Sequence, residues 1–245
     1  MPIVKLEEAL FIRMLLHGDS GAGKTRLAAS AAACAEMQPV IFFDFEEGIM
    51  GAREFANMPI TFVAATGQAD IILLQKALLQ QTKPKYKTVV VDPLTEMYAL
   101  MMDSQLSAAG RTSDMPQLQD YGAITTRMRK FFRLARQSPC HFIATCGTQP
   151  NKDETSGSIY MTPDLPGKLA NQAPRFFDVV GYLAVHVRRP RGQAEATEVQ
   201  RSLQVQPYGR IIAKDRSNSL GHVVANPDMS GLFETIFRKE KQPNA

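Results

Sequence analysis

Apolar residues concentrate in short runs at 11–16, 40–43, 88–92 and 140–146, with helical patterns between them. Such runs read as strands buried on both faces, the habit of a parallel sheet sandwiched by helices. A further short strand is expected at 60–64. The Ala-rich segment 26–36 reads as a helix. A helical pattern starting at Gly67 sets Ile71, Leu74 and Leu78 on one face, with Leu79 a further candidate for it, and 93–106 continues as another helix. The strongest helix is 121–137. It turns Tyr121, Ile124, Met128, Phe131 and Leu134 or Ala135 inward and leaves Arg127, Arg129, Lys130, Arg133 and Arg136 largely outside. Strands alternating with helices give an α/β fold with a mostly parallel central sheet.

The later part of the chain has a different rhythm. Residues 177–187 and 198–206 form a hairpin around a basic turn at 188–192, a short strand follows at 209–213, and 229–239 makes a terminal helix ahead of a frayed 241–245. Two stretches read as loops, 107–119, whose Arg111 is a candidate nucleic-acid contact, and a mobile 150–166 broken by Gly and Pro. In the second, Lys152 and Tyr160 offer charge and a stacking ring to a nucleic-acid strand, although a loop without contacts fits the composition equally well. Residues 1–10 form an arm, and 245 residues suit one domain.

Chemistry enters at Gly18-Asp19-Ser20-Gly21-Ala22-Gly23-Lys24-Thr25, which reads G-x-x-x-x-G-K-T between a strand and a helix. Glycines there let backbone amides curl round an anion, Lys24 adds a mobile charge and Thr25 offers a hydroxyl to Mg²⁺. The motif therefore points to a nucleotide, with ATP and Mg²⁺ as cofactors. Two strands end in carboxylates. Asp92 closes the strand 88–92 and is placed to hold Mg²⁺ through water. Asp44, Glu46 and Glu47 follow 40–43, where Glu46 is the candidate general base; a solvated strand end or helix cap is the equal alternative. Thr145 near the end of the strand 140–146, or Gln149 just beyond it, is a candidate γ-phosphate sensor, with a plain loop residue the equal alternative. Lys214 and Arg216, two apart, project to one side of a strand, which suits a pair of cations offered to a neighbour's γ-phosphate.

Charge adds little. The formal net charge of +4 tolerates a polyanion without requiring one. Cys34, Cys140 and Cys146 lack metal or redox spacing and read as reduced core residues. No stretch approaches a membrane span and the N-terminus lacks a signal-peptide core, so a cytoplasmic protein without membrane contact is expected.

Together with the phosphate loop, FFDFEEG with Glu46, VVVDPLTE with Asp92, LQDYGAITTRMRKFFR, PGKLANQAPRFFDVVGYLAV and AKDRSN with Lys214 and Arg216 give a chain that resembles the RecA-like ATPases. In detail it resembles their compact phage-encoded group of single-strand annealing or recombination ATPases. The resemblance implies a parallel sheet in which an extra strand separates the loop strand from the Asp92 strand, with antiparallel strands added at the C-terminal side. It also implies hydrolysis with Glu46 as base, a Lys214/Arg216 pair acting across a subunit boundary in a ring or filament, and single-stranded DNA as partner. A single-strand DNA-binding protein is a further candidate partner. A small-molecule kinase and a non-hydrolysing ATP-dependent adaptor are the competing readings.

Overall fold

The computed structural model describes residues 11–79, 85–111, 115–152, 157–188 and 198–237. The apolar runs become strands covered on both sides: Arg13–His17 (β1), Val40–Asp44 (β2), Thr88–Asp92 (β4) and His141–Cys146 (β5). Ile60–Ala64 (β3) forms the more exposed edge. Beyond β5 come Thr148–Lys152 (β6), Ile159–Pro163 (β7), Val179–Arg188 (β8), Glu198–Gln204 (β9), Lys214–Asp215 (β10) and Val223–Ala225 (β11).

Six strands run parallel in the order β8-β1-β5-β4-β2-β3. β5 separates the loop strand β1 from the Asp92 strand β4, the extra strand that the resemblance implies. β9 and β10 pair antiparallel to β8, and β11 pairs antiparallel to β9. The antiparallel strands thus extend the sheet on its C-terminal side, as expected.

Alternation along each strand divides the core into two layers. Leu15, Val89, Val91 and Phe142 face the helices Gln68–Leu78 (α2), Leu94–Ala108 (α3) and Leu118–Gln137 (α4). Met14, Leu16, Val90 and Ile143 face Lys24–Ala29 (α1) and the terminal helix Met229–Phe237, which follows the short Leu169–Gln172 (α5) and is α6. In the first layer Phe132 packs on Phe176 and Phe177 with ring centroids 5.5 and 5.7 Å apart. Each such buried ring contributes about 1.5–3 kcal/mol through apolar burial.

Several expectations are corrected. Residues 150–166 are not loop throughout, because β6 and β7 pair from Thr148↔Pro163 to Lys152↔Ile159; 153–156 lie outside the described residues. Side-chain hydrogen bonds reinforce the hairpin: Thr148 donates to Thr162 O and Gln149 to Leu165 O. The strand expected at 209–213 reduces to β10 and an isolated bridge between Ile211 and Met161. The first helix stops at Ala29. There Ser30 Oγ donates back to Leu27 O at 2.7 Å and accepts from Met229 N at 2.9 Å, and the chain tightens into a 3-10 turn. In α4 the buried stripe is Ile124, Met128, Phe131, Phe132 and Ala135, with Tyr121 exposed; Leu79 of the preceding helical segment is exposed too.

Most of the basic turn at 188–192, the arm 1–10 and the tail 241–245 lie outside the described residues. The three cysteines are free and buried, and burial pushes the Cys140 and Cys146 thiols up to about 11 and about 12. No described helix is long and apolar enough to cross a membrane.

Candidate active site

The phosphate loop leaves the end of β1 and enters α1. Its glycines are required by close approach and by backbone shape. A Cβ on Gly18 would lie 2.3 Å from the Leu183 carbonyl oxygen of the neighbouring β8. Gly23 has φ +99°, and a Cβ there would lie 2.9 Å from Arg201 Nε. Lys24 Nζ folds over the loop and donates to the Gly18 and Asp19 carbonyls, each at 2.9 Å.

A cavity of about 480 Å³ opens over Ser20, Gly21, Gly23, Lys24 and Thr25. Its far wall carries Glu46, Asp92, Glu96 and Asp164. The register explains why two distant carboxylates meet the loop: Asp44 lies opposite Asp92 as β2 and β4 end together. Asp44 is buried and accepts from the Glu46 and Gly48 amides, both at 3.1 Å. It therefore fixes the turn, while Glu46 two residues on lines the cavity.

Asp92 is buried and accepts hydrogen bonds from the hydroxyls of Thr145 and Thr25. Burial raises its pKa above the ordinary value; the two hydroxyls lower it, and the charges of Asp44 and Glu46 add to the rise. A divalent cation would relieve that stress. Among the described residues no cluster of three or more His, Cys, Asp or Glu could hold a metal alone. One hydroxyl and one carboxylate instead suit Mg²⁺ carried in by nucleotide phosphates.

Neither candidate sensor faces this cavity. The Thr145 hydroxyl is spent on Asp92, and Gln149 is turned to the Pro163 and Leu165 carbonyls. The polar side chain beyond β5 in the cavity is Asp164, packed against Gly147 at the root of the β6–β7 hairpin, with Thr95 donating to its carbonyl at 3.1 Å. Lys214 and Arg216 also lie outside the cavity, toward the entry end of β8. Lys214 Nζ donates to the Pro174 and Phe177 carbonyls, and partial burial pushes its pKa down to about 8. Arg216, 42% exposed, donates to Asp178 and to the Arg175 carbonyl, each at 3.2 Å.

Of the candidate nucleic-acid contacts, Lys152 and Tyr160 come together in an open groove of about 250 Å³ with Asn151, Thr162, Asn171 and Ile212. Arg111 is elsewhere, held by both terminal nitrogens on buried Asp120 at 2.7 and 2.6 Å. Asp120 also accepts from the Gln117 amide, which closes the first turn of α4.

Two further residues emerge only from the fold. Arg201 of β9 reaches over the loop, its Nε donating to the Ala22 carbonyl at 3.2 Å. His17, fully buried at the end of β1, donates from Nε2 to Ile212 O at 2.7 Å and has Nδ1 3.3 Å from Thr148 Oγ1. Burial pushes its pKa down to about 4, so the imidazole is a neutral strut between the loop strand and the hairpin. No local sequence signal marks Arg201, since its place depends on β9 pairing with β8.

Among curated proteins no sequence matches this chain. Among solved structures 113 chains match. One of them, the crystal structure of the RadB recombinase, aligns over 79% of each chain with a TM-score of 0.45 at 14% identity. The family described as "AAA domain" matches residues 10–217. That span runs from the strand before the phosphate loop to just past Arg216, so it takes in every residue of the cavity described above, and the chain belongs to the AAA domain family.

Proposed function

We propose that the protein is a Mg²⁺-dependent ATPase of the RecA-like type. The observation that carries this is the convergence of Glu46 and Asp92 on the cavity over Lys24 and Thr25. The loop amides and Lys24 hold the β- and γ-phosphates, and the carboxylate of Glu46 takes a proton from the attacking water. Asp92, held by Thr145, orients the Thr25 side of the site. When bound, Mg²⁺ supplies neutralising charge on the phosphates. Lys214 and Arg216 act on the site of a neighbouring copy in a ring or filament, a role supported by their position outside their own chain's cavity.

The same reading makes single-stranded DNA the partner, gripped by the hairpin groove with Lys152 and Tyr160, and annealing or recombination the task, as in the phage-type group. Arg111 lies outside that groove, its two terminal nitrogens bonded to Asp120. A kinase would need a lid of several cations, whereas residues 150–166 contain one Lys and no Arg. Steady-state phosphate release with and without single-stranded DNA tests the proposal. Release of inorganic phosphate without an added acceptor, accelerated by DNA, is expected. Release only on adding a small acceptor would favour the kinase, and nucleotide binding without release the adaptor.

A further inference from the structure

Beside the main cavity lies a smaller one of about 170 Å³. The two share Gly23, Arg26 and Arg201 along their common border. None of Glu46, Asp92 and Asp164 lines the smaller cavity, so it opens at the end remote from the hydrolytic carboxylates. A nucleotide whose γ-phosphate lies by Glu46 must extend its ribose and base the other way, and this cavity is what it meets.

The lining suits a flat, mostly apolar ring with a polar edge. Leu27, Phe55 and Leu183 are buried apolar walls, and Pro227 closes one side. Arg201 is held firmly at the border: its backbone N–H donates to Asn226 Oδ1 at 3.0 Å, and its carbonyl accepts from Asn226 N at 2.7 Å. Its guanidinium is half-buried over the loop. Asp228, also in the lining, uses Oδ1 to accept from Gly231 N at 2.9 Å at the start of α6. Its Oδ2 takes no hydrogen bond among the described residues.

We propose that the smaller cavity is the nucleobase subsite, with Arg201 lying against the base plane and Asp228 Oδ2 accepting from an exocyclic amino group of the base. This rests on the nucleotide-binding reading above and adds to it a preference for amino-bearing bases, enforced by Asp228. A planar guanidinium over a base contributes by stacking and cation–π attraction. A carboxylate facing a carbonyl-bearing base would instead leave two acceptors opposed.

The test is displacement of ribose-labelled fluorescent ADP by ATP, by inosine triphosphate, in which a carbonyl replaces the amino group, and by inorganic tripolyphosphate, which has no base. The wild type should prefer ATP to inosine triphosphate and both to tripolyphosphate. Arg201→Ala should shrink the ATP-to-tripolyphosphate ratio about five- to hundredfold, the range of one lost stacking contact. Asp228→Asn preserves the helix cap and can donate to a carbonyl. It should therefore raise affinity for inosine triphosphate relative to ATP while leaving tripolyphosphate unchanged. Equal displacement of the label by ATP and tripolyphosphate in the wild type would overturn the subsite and leave the phosphate loop standing. An unchanged base preference in Asp228→Asn would overturn the role of Asp228. Failure of labelled ADP to bind at all would instead remove the nucleotide-binding reading on which the subsite rests.

Discussion

Replacing Thr145 by valine removes one hydroxyl from a fully buried side chain and leaves its shape almost unchanged. That hydroxyl donates to Asp92, a carboxylate that is itself buried and near the charges of Asp44 and Glu46. A hydrogen bond to a charged group is worth about 1.5–3 kcal/mol, against about 0.5–1.5 kcal/mol between neutral groups. The sign with pH follows from the raised pKa of Asp92. The folded protein holds this proton more tightly than the unfolded chain, so stability is lost as pH rises from the ordinary carboxylate range through the folded value. Without the Thr145 donor that loss is steeper. Thr145→Val should therefore cost about 1.5–3 kcal/mol near neutral pH, a fall in Tm of about 3–12 °C for a chain of this size, and clearly less once Asp92 is protonated. Urea or thermal unfolding at the two pH values reads this directly. In the same variant the Mg²⁺ concentration needed for half-maximal nucleotide binding should rise about 10–100-fold, as when a metal ligand loses its supporting partner. A stability deficit equal at both pH values, with no change in Mg²⁺ dependence, would show that Thr145 does not hold a charged Asp92.

Three further outcomes are expected. Gly18→Ala should unfold at lower temperature and bind nucleotide poorly, because its Cβ would meet the Leu183 backbone at 2.3 Å; calorimetry and labelled-ADP titration check both. Arg216→Ala should lose turnover by about 10³-fold or more, as when an arginine finger is removed, yet keep its own nucleotide affinity; mixing it with Lys24→Ala subunits should restore some activity through mixed boundaries. Tyr160→Ala should weaken single-stranded DNA by about 1–3 kcal/mol in a salt-controlled anisotropy titration, whereas Lys152→Ala should mainly flatten the salt dependence.

The sheet and the convergence of the loop with Glu46 and Asp92 were legible because they depend on local patterns. Short apolar runs such as residues 89–91 fix buried strands, and a carboxylate at the end of a parallel strand must emerge at one edge. Spacing left Glu46 as general base, and a solvated strand end or helix cap formed by Asp44, Glu46 and Glu47, as equal alternatives. In the structure Asp44 turns back to accept two amides, while Glu46 lines the cavity. The β6–β7 hairpin was not legible because β6 is almost wholly polar and the stretch is broken by Gly and Pro, so the short alternation of Ile159, Met161 and Pro163 with Tyr160 and Thr162 in β7 had no apolar partner strand to pair with in sequence. The inward face of α4 was read one step off at its start: Tyr121 stands at the first turn, at the edge of the layer, while Phe132 takes the buried place against Phe176 and Phe177. Arg201, Asp164 and His17 reach their positions only through long-range strand pairing and hairpin packing, which no local window contains.

Glu46 is the residue on which hydrolysis at this site depends most directly. A single-turnover measurement with γ-labelled ATP, run beside equilibrium binding, compares wild type with Glu46→Gln and Lys24→Ala. Glu46→Gln is predicted to bind ATP as tightly as wild type but to cleave it about 10²–10⁴-fold more slowly, the loss typical of a missing general base. Lys24→Ala should fail already at binding. Cleavage at the wild-type rate in Glu46→Gln would contradict the proposed site.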